Sequence, residues 1–171
     1  SIANFPIFRC AEQIRNDVCY HDLPVTVVSV GGGLAYGNLG YSHHAVQDYA
    51  FMRVLPNMKI LAPGDPNQVK NCLDYILENP GPSYLRLGKT GEKNYSDPAN
   101  LLDFGKAISI SQGTDSIHAI VTTGAALQEV AKWISNGSLK AVDLYSMPIW
   151  GLSASGSLSN QFKKYQKIIT I

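Results

Sequence analysis

The sequence predicts an α/β fold in which parallel sheets are covered by helices, arranged as two successive domains. Apolar, β-branched runs such as residues 24–30 alternate with segments whose apolar residues recur at helical spacing. Continuous apolar strands are typical of parallel sheets that are buried on both faces. A polar stretch, residues 88–104, interrupts the alternation. We therefore expect one domain over residues 1–97 and a smaller domain over residues 98–171.

The composition fits a folded chain with an ordinary core. Of 171 residues, 45% are hydrophobic and 16% are charged, and the net charge is +1. This balance argues against a nucleic-acid or membrane-surface binder, and no apolar run approaches the ~20 residues of a membrane span. The three cysteines, Cys10, Cys19 and Cys72, form no CxxC pair. Such sparse usage favours a reducing, cytoplasmic location.

The first domain is predicted to begin with an amphipathic helix over residues 5–21. Asn4 is its expected cap and Pro6 lies in its first turn. Residues 24–30 then form a buried strand that ends at three consecutive glycines, 31–33. A short helix around 45–54 and a strand at 59–62 follow.

The next helix has the strongest local signals. Asp65 is its predicted cap and Pro66 its first residue. Strand 83–87 completes the domain. The expected inner face of the helix consists of Val69, Leu73, Ile76 and Leu77.

The second domain repeats the alternation of strands and helices. Strand 117–122 leads to Thr123 as a cap and to helix 124–135. Strand 139–144, a helix near 157–165 and strand 167–171 follow. The sequence starts without Met and stops within a strand, so we expect a piece of a longer protein.

A glycine-rich loop, residues 31–44, is the leading candidate for a functional segment. It holds five glycines and two histidines. Tyr36 replaces the third glycine of a dinucleotide fingerprint, and Ser83 replaces the first glycine of a P-loop that would end at residues 88–90, so both motifs fail. The loop nevertheless follows the carboxyl end of a parallel strand, where open α/β sheets bind ligands. Long loops of this kind are commonly functional.

His43 and His44 are the sharpest chemical feature of this loop. A histidine there can act as acid, base or oxyanion donor near neutral pH, and simple surface exposure is the alternative interpretation. A metal site is poorly supported, because Asp48 is the only further ligand nearby.

Two pairs of residues have both a functional and an ordinary interpretation. Arg86 and Lys89 flank the end of strand 83–87, where they could neutralise a phosphate or form a solvated basic loop end. Phe5 and Phe8 are spaced i, i+3. They belong either to the core or to an aromatic shelf for a flat ring.

Three ordered stretches together resemble the transketolase family of thiamine diphosphate enzymes, including its 1-deoxyxylulose-5-phosphate synthase branch. The first is SIANFPIFR at residues 1–9. The second is GYSHH at residues 40–44, followed by MRVLPNMKILAPGD at residues 52–65, which is similar to the family's Gly-Pro-Thr-His-Gln loop and Ala-Pro-x-Asp run. The third is GPSYLRL at residues 81–87.

The resemblance implies a three-layer α/β/α pyrimidine-binding domain that lacks its N-terminal part, followed by a truncated transketolase C-terminal-like domain. It implies that Phe5 and Phe8 stack on the aminopyrimidine ring of thiamine diphosphate. His43 would hydrogen-bond the substrate oxygen or shuttle its proton. The remaining implied substrate-binding residues are His44, Arg86 and Lys89. Magnesium would be bound by a domain outside this chain, and no residue here is expected to be a metal ligand.

The implied reaction is the transfer of a two-carbon unit from a ketose or ketoacid to an aldehyde. Leu39 stands where transketolases have an Asp that reads a substrate hydroxyl, and Arg86 fits the synthase branch better. The family's catalytic Glu would precede Ser1. The implied partners are a sugar-phosphate or ketoacid substrate, and a second copy of the chain, a separate diphosphate-binding subunit, or both. The alternative function is a non-catalytic assembly or regulatory module of the same fold.

Overall fold

The computed structural model describes the backbone of residues 1–171 and the side chains of residues 1–154 and 158–171. A π-helix, Ile14–Cys19, follows the first two helices. The strands are β1 (Thr26–Val30), β2 (Lys59–Leu61), β3 (Ser83–Leu87), β4 (Ile108–Ser111), β5 (His118–Thr122), β6 (Val142–Ser146), β7 (Ile149–Trp150) and β8 (Lys167–Thr170). The helices are α1 (Asn4–Arg9), α2 (Ala11–Gln13), α3 (Asp48–Met52), α4 (Pro66–Glu78), α5 (Ala126–Ser135) and α6 (Ser155–Gln161).

The first sheet has the strand order β1-β3-β2-β7, and its first three strands are parallel. Alternate side chains of a strand point to opposite faces. Ile60 and Tyr84 accordingly pack with residues of the helical segment 4–19 and of α3, whereas Leu61 and Leu85 pack with Cys72 of α4. The sheet is therefore covered on both faces, which confirms the three-layer arrangement.

The second sheet has the order β4-β6-β5-β8. Strand β5 is parallel to both β6 and β8, and β4 is antiparallel to β6. Ile120 and Leu144 pack on α5, while Val121 and Tyr145 pack on Phe162 at the end of α6. The α/β class is confirmed, and each sheet adds one antiparallel strand at its edge.

The N-terminal segment departs from the predicted single helix. Cys10 leaves helical geometry, with φ −120° and ψ 19°. Asn4 is the first helical residue and not the cap, because its side chain donates a 2.7 Å hydrogen bond to the Ser42 carbonyl. Strand β1 lies at the edge of its sheet, and Val28 is 45% exposed. The prediction of a buried first strand was therefore wrong.

Helix α4 begins as predicted but buries a different face. Asp65 Oδ1 accepts a 2.8 Å hydrogen bond from the Gln68 amide, which confirms the cap. Ile76 packs against the core and Val69 is half-buried, as expected. Leu73 is exposed and Leu77 is 81% exposed, so the expected inner face was wrong at these two positions. The segment after β3 runs along this helix, and Asn71 Nδ2 donates to the Asn100 carbonyl at 2.9 Å. The buried face of α4 is consequently polar in part.

Residues 88–104 are packed against the first domain and do not form a free linker. The Tyr95 and Ser96 amides donate to Asp65 Oδ2 at 2.8 and 2.7 Å. Strand β7, which lies beyond the expected boundary, pairs with β2 in the first sheet. The predicted cap Thr123 instead donates to the Met147 carbonyl, and the residue before α5 is Ala125.

No helix in the described part of the chain is both long and apolar enough to cross a bilayer.

Candidate active site

The histidines lie on a closed loop, here called the His43 loop, that comprises residues 31–45. The chain leaves β1, forms two short 3₁₀ turns at Gly37–Leu39 and Tyr41–His43, and returns beside its own start. Gly33 and Ala45 exchange backbone hydrogen bonds of 2.8 and 3.0 Å, which close the loop at its base. Gly40 has a φ of 78°, a left-handed conformation that favours glycine. The loop is thus an ordered structure.

The structure brings Phe5 and His43 into direct contact. Their rings meet edge to face with centroids 5.4 Å apart. The Asn4 side chain donates to the Ser42 carbonyl, and Ser42 Oγ is hydrogen-bonded to His43 Nδ1 at 3.0 Å. The beginning of α1 and the tip of the His43 loop therefore hold each other in place.

Phe8 is 58% exposed and does not belong to the core. Phe5 is half-buried, and the Arg9 guanidinium lies 5.5 Å from the centre of its ring. Because Phe8 is exposed, its interpretation as a core residue was wrong. This exposure leaves an apolar aromatic surface at the start of the chain, which is the kind of surface that a flat ring requires.

His44 is bound to its own loop. Its Nε2 lies 3.2 Å from the Gly37 carbonyl, and because a carbonyl only accepts, the imidazole donates this hydrogen bond. His44 and His43 are both half-buried. The structure thus places the two histidines side by side, and His44 is the one whose Nε2 is already engaged.

Arg86 forms a buried ion pair with Asp48. Arg86 Nε lies 2.8 Å from Asp48 Oδ2, and the two side chains are 14% and 3% exposed. Arg86 Nη2 donates to Asp48 Oδ1 at 3.1 Å and to the Ala45 carbonyl at 2.7 Å. The Tyr84 hydroxyl donates to Asp48 Oδ2 at 2.8 Å. Burial raises the pKa of Asp48, and the Arg86 guanidinium opposes that rise.

Lys89 is exposed, and its Nζ lies 5.5 Å from the centre of the Tyr36 ring. Lys89 and Arg86 share a cleft of about 630 Å³. Among the described residues that line this cleft, Phe5, Phe8 and His43 do not occur. Arg86 and Lys89 therefore lie in one cleft, and Phe5 contacts His43 elsewhere. The structure does not bring these two pairs together in one pocket.

Asp48 and Tyr49 are the site residues whose role the sequence does not indicate. The sequence offers Asp48 only as a weak metal ligand, whereas the structure pairs it with Arg86. The Tyr49 ring centre lies 4.1 Å from the Arg86 Cζ. No local spacing links position 48 to position 86, so the signal is absent from the sequence alone. Among the described side chains, no group of three or more His, Cys, Asp or Glu residues is placed to hold a metal ion.

The two sheets and the loop at the end of β1 define a class of α/β domain found in transketolases. The transketolase of Leishmania mexicana superposes with a TM-score of 0.79 at 17% identity, over 100% of this chain and 26% of that one. Residues 3–92 match the family described as "Transketolase, pyrimidine binding domain". The chain belongs to this family.

Several relatives share detectable sequence identity with the chain. It is 30% identical over 154 residues to one subunit of an apulose-4-phosphate transketolase of Phocaeicola vulgatus, covering 83% of this chain and 49% of that protein. It is 36% identical over 110 residues to a 1-deoxy-D-xylulose-5-phosphate synthase of Pelotomaculum thermopropionicum, covering 63% and 17%. A structure described as "Split gene transketolase, inactive beta4 tetramer" has a TM-score of 0.77 at 29% identity, covering 99% and 55%. The chain therefore spans about half the length of the first of these relatives.

Proposed function

We propose that this chain supplies the pyrimidine-binding and C-terminal parts of a thiamine diphosphate-dependent enzyme. The reaction is the transfer of a two-carbon unit from a ketose or ketoacid to an aldehyde. Membership of the family supports this function. The observation that carries it is the contact between Phe5 and His43, because it joins an aromatic surface to an acid–base group.

The residues present fit the aromatic half of such a cofactor. The exposed ring of Phe8 and the half-buried ring of Phe5 offer apolar surface to an aminopyrimidine. When bound, thiamine diphosphate supplies the carbanion chemistry of the reaction, and the protein orients and stabilises charge. The residues that hold magnesium and the diphosphate lie, in this proposal, on a separate domain or subunit.

His43 is the proposed catalytic residue. The hydrogen bond between its Nδ1 and Ser42 Oγ and the contact with Phe5 fix the orientation of its ring. Its other ring nitrogen, Nε2, would then hold or move a proton at the substrate oxygen. His44, Arg86 and Lys89 are the proposed substrate-binding residues, and the two basic residues would meet an anionic group in their shared cleft.

We further propose that the working protein is an assembly, either a homodimer or a complex with a diphosphate-binding subunit, in the cytoplasm. The surface formed by the His43 loop and its neighbours carries several exposed apolar residues, and covering them with a partner would gain roughly 25 cal/mol per Å². The free thiols of all three cysteines support a reducing compartment. The exposed apolar residues of this surface are Phe8, Leu34, Leu39, Tyr41 and Val46.

The proposed function is tested with the complete assembled protein. It is incubated with thiamine diphosphate, magnesium, a ketose phosphate or ketoacid donor and an aldehyde acceptor, and the product is identified by mass spectrometry. We expect a product that is two carbons longer than the acceptor. If the assembled, folded protein transfers nothing from either donor class, the proposed enzymatic function is contradicted. That result would favour the alternative function, a non-catalytic assembly or regulatory module.

A further inference from the structure

Asp48 is a buried carboxylate with a full set of partners. Its two oxygens lie 2.8 and 3.1 Å from nitrogens of the Arg86 guanidinium, and Oδ2 also accepts from the Tyr84 hydroxyl at 2.8 Å. A buried charge is expensive unless it is paired and hydrogen-bonded. One of the two contacts is a hydrogen bond, from Nη2 to Oδ1, and the Nε contact is an ion pair without hydrogen-bond geometry. Together they hold the guanidinium against the carboxylate.

The guanidinium held by Asp48 in turn holds the base of the His43 loop. Arg86 Nη2 donates to the Ala45 carbonyl at 2.7 Å, and the same carbonyl accepts from the Gly33 amide at 2.8 Å. A Cβ atom at Gly32 would overlap the Arg86 guanidinium, so the loop packs directly on this group. The Tyr49 ring also packs against the guanidinium. The loop is therefore anchored through Arg86 at the point where it closes.

We propose that Asp48 is the positioning residue of the His43 loop. It acts through Arg86, whose Nη2 group donates to both Asp48 Oδ1 and the Ala45 carbonyl. Asp48 itself is buried and is not among the described residues that line the cleft of Arg86 and Lys89. Arg86 also lines the cleft that it shares with Lys89. Arg86 thus has an anchoring side and a cleft-facing side.

The first test measures backbone hydrogen exchange in the complete assembled protein and needs no activity. Asp48→Asn keeps the side-chain shape and removes the charge. We expect peptides that report the Gly33 and Ala45 amides to exchange at least about tenfold faster, whereas peptides from β2 and α4 change by less than about twofold. Asp74→Asn is the matched control, because Asp74 forms an exposed ion pair with Lys70. Asp74→Asn should leave hydrogen exchange of the Gly33 and Ala45 amides unchanged.

If hydrogen exchange in β2 and α4 accelerates as much as in the loop, the proposal is overturned, because Asp48 would then stabilise the whole fold and not the loop in particular. Unchanged exchange in the loop would overturn it equally. If Asp48→Asn does not fold, Tyr84→Phe removes one hydrogen bond to the same carboxylate and leaves the ion pair. It should accelerate the same two amides by about twofold to fivefold and no others. No local acceleration in Tyr84→Phe would then contradict the positioning role.

The second test rests on the proposed function and separates positioning from binding. In the active assembly, Asp48→Asn should lower kcat at least about tenfold while KM for an anionic donor changes by less than about threefold. A rise in KM with unchanged kcat would overturn the proposal and assign Asp48 to substrate binding through Arg86. An inactive wild-type assembly would contradict the proposed function only, and the exchange experiment would still decide the role of Asp48.

Discussion

The Phe5 ring and the His43 imidazole meet edge to face, 5.4 Å apart and inclined by 64°. The two residues are 38 positions apart in sequence. A hydrogen bond of the same sequence separation, from the Asn4 side chain to the Ser42 carbonyl, lies beside this contact. A contact of this kind is worth about 1 kcal/mol beyond the buried area. It couples the proposed cofactor surface to the proposed acid–base group, so a change in one should be felt at the other.

His43→Ala should lower kcat of the assembled enzyme about 10²–10⁴-fold, because one acid–base or oxyanion group is removed. The affinity for cofactor should fall much less, since the imidazole faces substrate in the proposed site. Steady-state kinetics and cofactor titration measure the two quantities. His21→Ala is the control, because His21 is exposed beside Tyr20. Unchanged turnover in His43→Ala would move the role to His44 or end the catalytic interpretation.

Phe8→Ala should weaken cofactor binding by the assembly with little effect on folding. A ring that is 58% exposed contributes little to the core, so the free energy of unfolding should change by less than about 1 kcal/mol. Urea titration measures the stability and calorimetry measures the affinity. Leu77→Ala, at another exposed apolar position, should change neither. A Phe8→Ala protein that keeps the wild-type affinity would remove Phe8 from the proposed site.

Asp65→Ala should destabilise the fold by roughly 3 kcal/mol or more, because it removes a helix cap and leaves the Tyr95 and Ser96 amides without their acceptor. Asp65 is fully buried and accepts four hydrogen bonds, from Gln68, Tyr95 and Ser96. Urea unfolding measures the loss. Asp97→Ala removes an exposed acid whose carboxylate, among the described residues, accepts a hydrogen bond from the Ala99 amide alone. Its smaller effect provides the comparison. Equal losses in the two variants would contradict the bridging role of Asp65.

The stability should fall at alkaline pH as Tyr49 ionises. Burial raises the pKa of Tyr49 from 10.0 to about 12. The unfolded chain therefore loses this proton first, so a contribution that is complete below pH 10 is lost as the pH rises to about 12. Ionisation of Tyr49 should lower the free energy of unfolding by about 2 kcal/mol over this pH range. Urea unfolding of wild type and Tyr49→Phe across this range should give a difference that grows with pH. A difference that stays constant would exclude Tyr49 as the source.

Local signals in the sequence predicted the parts of the fold that depend on neighbouring residues. The cap at Asp65 and the proline at position 66 fixed the start of α4, because capping is a contact over three residues. The family resemblance implied that Phe5 and His43 belong to one site, but their direct contact was not predicted. The types and spacing of Phe5 and Phe8 alone favoured a core role over an aromatic shelf.

Tertiary contacts decided the remainder. The buried face of α4 could not be predicted, since it depends on the segment around Tyr95 and Ser96 that packs along it. The two residues of β7 form too short a run to be recognised, and their partner is β2, some 90 positions earlier. The ion pair of Asp48 and Arg86 likewise joins positions without any periodic relation. Such pairings depend on how the strands and helices assemble in the folded domain, and no local sequence pattern encodes that assembly.

Calorimetric titration with thiamine diphosphate and magnesium tests the central claim most directly. In the proposed site, this chain provides the aromatic and substrate-facing half, and another domain or subunit holds the diphosphate. The chain by itself should therefore bind the cofactor poorly, and the complete assembly should bind it with micromolar affinity that Phe8→Ala weakens. Micromolar binding by the chain by itself, or no binding by the folded assembly, would contradict a cofactor site that is shared in this way.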